Sequence, residues 1–148
     1  MKKSLILSVF ILVSVLNFTS CSSEDVSSPT AATDELVGKW NFSKFSTSFN
    51  GVTTPELDYD DNEPGCPKDY LEFKTGGVFN NGEYSGSTCV LDSESGTWTQ
   101  SGSTITITEG TDVFTAQLVS VTSSELKLKV TETDNGITIT VNLTFTKA

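Results

Sequence analysis

The stretch Ile137-Thr-Ile-Thr-Val-Asn-Leu-Thr-Phe-Thr146 alternates without a break, with Ile137, Ile139, Val141, Leu143 and Phe145 set against Thr138, Thr140, Asn142, Thr144 and Thr146. A period of two sends the two sets to opposite faces of a strand, one for a core and one for water. Immediately upstream, Glu125–Thr133 repeats the pattern, with Leu126, Leu128 and Val130 opposed to Lys127 and Lys129. Asp134-Asn135-Gly136 separates the two runs and is a strong hairpin signal. Working outward, strands are expected at Asp112–Val121, Thr104–Thr108, Gly96–Gln100, Val78–Ser85, Asp69–Lys74 and Leu36–Phe45. After Cys89 the links are too short for parallel crossovers, so sequential strands pair antiparallel. The expected fold is all-β: an eight-stranded antiparallel up-and-down barrel, whose closure leaves no unpaired edge. A seven- or eight-stranded sandwich is the alternative, because a meander alone does not force closure.

Composition agrees and excludes much. The 148 residues amount to one domain, and they hold 20 Ser and 22 Thr but only four Ala and no Arg, a balance that favours strands over helices. Histidine is absent, which removes Ser-His-Asp and Cys-His catalysis and His-ligated metal sites. A net charge of −10 without arginine argues against nucleic-acid binding. No catalytic residue, cofactor or metal is expected, and the chain does not read as an enzyme. The acidic run Asp58-Tyr59-Asp60-Asp61-Asn62-Glu63 begins like a calcium loop, but Glu63 stands where the sharp turn needs Gly. It reads as a solvated loop.

The first residues read as an address. Lys2 and Lys3 precede an apolar run from Leu5 to Phe18, too short for a membrane span of about 20 residues and suited to a signal peptide. Phe18-Thr19-Ser20-Cys21 resembles the bacterial lipobox. That resemblance implies a lipoprotein signal peptide over 1–20, a lipid on Cys21 that makes the membrane a partner, and a flexible lipidated tether over 21–35. It also implies an outer-membrane lipoprotein of the cell envelope. Glu24 and Asp25 resemble an acidic surface-export signal, which implies a surface-exposed position. Losing Lys2 and Lys3 would leave seven lysines against 19 acids, a charge of 7 − 19 = −12.

With Cys21 assigned to lipid, Cys66 and Cys89 remain. They flank the hairpin expected over 69–85, and export implies an oxidising compartment, so a disulfide is expected between them. Closing a loop of that size is worth roughly 3 kcal/mol.

Gly38-x-Trp40 on the first strand, Cys66 before an acidic and aromatic strand, Cys89 in the next link, Gly96-x-Trp98, and alternating strands to the end form an ordered set. Over residues 36–148 this set resembles the lipocalin-like domain family of small bacterial lipoproteins. The resemblance implies a barrel closed at one end by the Gly38 and Trp40 motif, with a basic residue late in the chain over the Trp. Lys147 is the residue in place for that role. It also implies a mouth-covering lid in the link Ser46–Pro67, and Trp40 at the end opposite the mouth. By alternation Phe42, Phe73, Trp98, Phe114, Leu128, Ile139 and Val141 face inward as candidate ligand-lining residues. The rows Leu126-Leu128-Val130 and Ile137-Ile139-Val141 carry no charge, so an interior ligand is expected to be hydrophobic and held by shape. Two functions follow: a carrier of a small hydrophobic ligand, or a surface protein-interaction or inhibitor module on a filled barrel. An internal cavity distinguishes them.

Overall fold

The computed structural model of the chain describes residues 34–134 and 136–148. The signal segment, Cys21 and the expected tether up to residue 33 lie outside the described residues. Asp34 and Glu35, assigned to the tether by sequence, form a helical turn with Leu36, which is fully buried. The helical turn thus spans the expected boundary between tether and barrel.

The strands are β1 (Gly38–Phe49), β2 (Val52–Thr53), β3 (Leu57–Asp58), β4 (Tyr70–Phe73), β5 (Val78–Ser85), β6 (Val90–Ser101), β7 (Thr104–Glu109), β8 (Asp112–Val121), β9 (Glu125–Asp134) and β10 (Ile137–Lys147). β4 to β10 form a meander in which each strand pairs antiparallel with the next, and β4 pairs with β1. β1 also pairs with β10, from Trp40 opposite Lys147 to Phe49 opposite Ile139. That pairing closes the sheet into an eight-stranded barrel and excludes the open sandwich. The two short strands β2 and β3 both pair with β1 rather than forming part of the circuit.

Two bulges adjust which side chains point inward. Strict alternation from Trp40 and Phe42 would send Lys44 into the interior. A register shift between Phe42 and Lys44 instead places Phe45 opposite Leu143, on the inner face. A second shift between Leu118 and Ser120 in β8 leaves Val119 exposed while Val121 returns to the core side.

The core fills the half of the barrel where the chain enters. Leu36, Trp40, Phe73, Ile105, Leu126 and Phe145 are fully buried there, with Phe79 and Trp98 nearly so. Burial of each such side chain contributes roughly 1.5–3 kcal/mol. Phe73 packs edge-on against Trp98 and tilted against Phe79, with ring centroids 5.3 and 5.4 Å apart. The two indole N–H groups are satisfied internally: Trp40 Nε1 donates to the Leu36 carbonyl at 2.8 Å and Trp98 Nε1 to the Lys74 carbonyl at 3.1 Å.

The Gly-x-Trp opening has a steric explanation. Lys147 lays its ammonium 4.0 Å from the centre of the Trp40 ring and donates to the Val37 carbonyl at 2.8 Å. A Cβ on Gly38 would run into Lys147 Nζ and Cε, and Gly38 has φ of 135°, which L side chains rarely adopt. Lysine thus takes the position that the resemblance assigned to a late basic residue.

The Cys66–Cys89 disulfide is present, with Cα atoms 5.4 Å apart. It joins the link before β4 to the turn between β5 and β6.

Candidate functional site

Up-and-down connectivity sends the β1–β2, β5–β6, β7–β8 and β9–β10 turns to one end of the barrel, and the chain's point of arrival to the other. Trp40 lies at the arrival end and closes it. The opposite end is a mouth. Between them, where β8 and β9 part beyond Gln117 and Lys129, lies a cavity of about 290 Å³ walled by Leu71, Ile107, Phe114, Ala116, Leu128, Val130 and Leu143, with Val113, Thr115, Thr131 and Glu132 at its margin. The wall follows from register. Ile107 stands opposite Phe114, Leu128 opposite Leu143, and Val130 opposite Val141, so each pair shares the inner face. The volume is near the lower bound of small-molecule pockets, about 300 Å³.

The sequence-expected residues divide by depth. Phe114 and Leu128 line the cavity. Phe114 is half exposed because it stands near the open end. Val141 sits on the same inner row, and Ile139, opposite Phe49 and Glu132, reaches the rim and is 44% exposed. Phe73 and Trp98 do not reach the cavity; they belong to the packed core below it. Phe42 is occupied by aromatic neighbours, stacked on Tyr59 at 4.5 Å and tilted against Phe145 at 4.6 Å. Leu71, Ile107, Ala116 and Leu143 were not singled out as lining residues, although period-two reading of β4, β7, β8 and β10 places them inward.

The link from Asn50 to Asp69 is not a hinged lid. It forms the wall beside the outer half of β1, where β4 does not extend. β2 and β3 pair with β1, Tyr59 N donates to the Ser43 carbonyl at 2.9 Å, and Asn62 bridges the Phe42 carbonyl and the Asp69 N–H. The disulfide fixes its far end. Asn62 is therefore a structural tie, and no three acidic or sulfur groups among the described residues are arranged to hold a metal ion. The signal that reveals β2 is Asn50-Gly51, whose φ values of 48° and 79° suit a type I′ turn.

An interior free of charge is found only in the depths. The inner row of β5 runs Phe79, Asn81, Glu83 and that of β6 runs Trp98, Gly96, Glu94, Asp92, paired as Asn81 opposite Glu94 and Glu83 opposite Asp92. These four polar residues line a recess of about 110 Å³. Leu71, from the apolar wall, pairs directly with Asn81, so recess and cavity adjoin. Glu109 follows Ile107 on the inner row of β7, opposite Asp112. Burial first, then the carboxylates of Glu94 and Asp112, push the Glu109 carboxyl above its ordinary range. Burial, with Asp61, Asp69 and Glu83 nearby, pushes the Tyr59 phenol up to about 12. Lys147, the cation at the closed end, is pulled below the usual lysine range by burial.

A family comparison matches the lipocalin-like domain to residues 36–130. No curated protein matches the chain. Among solved structures, a lipocalin-like protein from Bacteroides uniformis is 17% identical, with 77% of this chain and 99% of that one covered and a TM-score of 0.52. An uncharacterised protein from Bacteroides eggerthii is 14% identical, covering 76% and 99%, with a TM-score of 0.51. Lobster apocrustacyanin A1 is 13% identical, covering 81% and 64%, with a TM-score of 0.52. At these identities the structural likeness speaks to the fold, and the fold agrees with the sequence match. With its barrel closed between β1 and β10 and its first-strand Trp40 beneath Lys147, the chain belongs to the lipocalin-like domain family.

Proposed function

We propose that this protein is a carrier of the bacterial cell envelope, held to a membrane by lipid on Cys21, that keeps a small, mainly hydrophobic ligand in the barrel mouth. The observation that carries the binding reading is the 290 Å³ cavity, which is walled by inward apolar side chains and lies between a packed floor and an open end. A scaffold that only displays its outer surface has no use for that space, so the cavity favours the carrier over the interaction module. The reading is of binding rather than turnover.

Anchoring rests on the lipobox-like residues before Cys21. Two or three acyl chains would hold the protein durably where one would not. Among the described residues no helix is long and apolar enough to cross a membrane. The chain reaches the barrel through Leu36 at the closed end. An anchor at Cys21 would therefore attach to that end, with the mouth turned away from it.

Two experiments test the parts separately. Titration with an environment-sensitive apolar dye, competed by dodecanol, should show one saturable site that Val130→Trp abolishes by filling the cavity. Absence of saturable binding contradicts the carrier reading. Metabolic labelling with a tagged fatty acid should mark the wild type and not Cys21→Ser; equal labelling of both contradicts the anchor.

A further inference from the structure

The proposal concerns the chemistry of the ligand and rests on the carrier reading. A purely hydrophobic carrier needs an apolar mouth, and this mouth is not one. Above the apolar wall, the inner faces of β5 to β9 carry Glu83, Asp92, Glu94, Glu109, Asp112 and Glu132, each placed inward by the register of its strand. Glu132 lies on the cavity itself, and Asn81, Glu83, Asp92 and Glu94 on the recess beside it. The opposite arc, on β1 and β10, carries no charge: Phe49 stands opposite Ile139, and Thr47 opposite Val141.

Among the described residues these carboxylates have no cationic partners. The ion pairs among the described residues are Lys44–Glu56, Lys74–Glu72 and Lys127–Glu125, and none involves a rim carboxylate. Lys39 lies over Tyr70 and Lys147 over Trp40 at the closed end. Two oxygens of the mouth, Glu109 Oε1 and Asn81 Oδ1, are shut off from solvent and accept no hydrogen bond from the described residues. Shielded acceptors without donors are costly and rare in folded proteins. A ligand that brings donors and positive charge would satisfy them.

We propose that the ligand is an amphiphilic cation, its apolar part seated on Leu71, Ile107, Leu128, Val130 and Leu143 and its ammonium-like head held by the rim carboxylates around Glu94 and Glu109. The same arrangement rejects fatty acids, because a carboxylate head would meet like charges at close range. Selectivity thus comes from the rim and affinity from the wall.

The test compares three ligands of equal chain length, dodecylammonium, dodecanol and dodecanoate, by isothermal titration of the purified protein at neutral pH, low ionic strength and below micelle formation. The cation should bind at one site about tenfold or more tighter than the alcohol, and dodecanoate weakest. Added salt should weaken the cation and leave the alcohol unchanged. Glu94→Gln combined with Glu109→Gln should bring the cation down to the alcohol's affinity without altering alcohol binding. Asp58→Asn with Asp60→Asn, the same loss of charge on the outer link, should change neither. Equal binding of alcohol and cation, or tightest binding of dodecanoate, overturns the cation proposal while the carrier reading stands. Displacement of the cation by calcium chloride overturns it too, by making the rim an inorganic cation site. Binding of none of the three overturns the carrier reading and this proposal with it.

Discussion

Lys147 and Gly38 are coupled through space. The ammonium can stand over Trp40 only because position 38 has no side chain. Gly38→Ala must both strain the backbone and displace the lysine, which predicts a loss of about 1–3 kcal/mol in urea denaturation. A change within experimental error would contradict the packing described here. Tyr59 gives a second check at this scale. Its phenol is pushed from 10.0 up to about 12, so between those values the folded chain keeps a proton that the unfolded chain has lost. Stability should therefore fall as pH rises through that window. Tyrosinate absorbance should show a late step near pH 12 that Tyr59→Phe removes; curves for the two proteins that differ only near pH 10 would contradict the placement. Single residues were legible where chemistry is explicit. Cys66 and Cys89 could be paired from their positions, and Trp40 with Lys147 through the family resemblance. Glu94 and Glu109 could not, because a carboxylate on an alternating strand reads as solvent-facing until register puts it inside.

At the level of elements, the β7–β10 half was readable nearly to the residue, since hydrophobic alternation and short Gly turns agree there. β6 was read as Gly96–Gln100 and extends over Val90–Ser101. Its first half carries Asp92 and Glu94 on the inner face, so the hydrophobic signal that marks strands is missing. β1 is expected to end at Phe45 and extends to Phe49, because Ser46, Thr47 and Ser48 carry no hydrophobic alternation. The family resemblance and the length of the link suggest a lid, whereas Asn50-Gly51 marks the turn that leads into β2. Its attachments predict rigidity. Replacing Cys66 and Cys89 together by Ala should cost about 3 kcal/mol, by analogy with loops of this size, and should raise hydrogen exchange at Tyr59 and Asn62 more than in β9 and β10. Uniform exchange across the barrel would contradict the view that the bridge serves the link.

For the whole molecule, the division into a packed closed end and an open mouth carries the account. Trp40, Phe73, Trp98 and Phe145 occupy one half, and the other half is left with a cavity whose floor is apolar and whose rim is acidic. Closure was legible as the best way to protect the edges of an eight-strand meander. The cavity was not, since alternation gives the direction of a side chain and not the space left between them. The most direct test is methyl and indole NMR of the protein during titration with one equivalent of dodecylammonium or dodecanol. The methyl signals of Leu71, Ile107, Leu128, Val130 and Leu143 should shift together and saturate, while the Trp40 indole N–H, bonded to Leu36 at the far end, stays in place. Shifts confined to the outer surface around Val90 and Val119, or no saturable shift, would contradict a ligand held in the mouth.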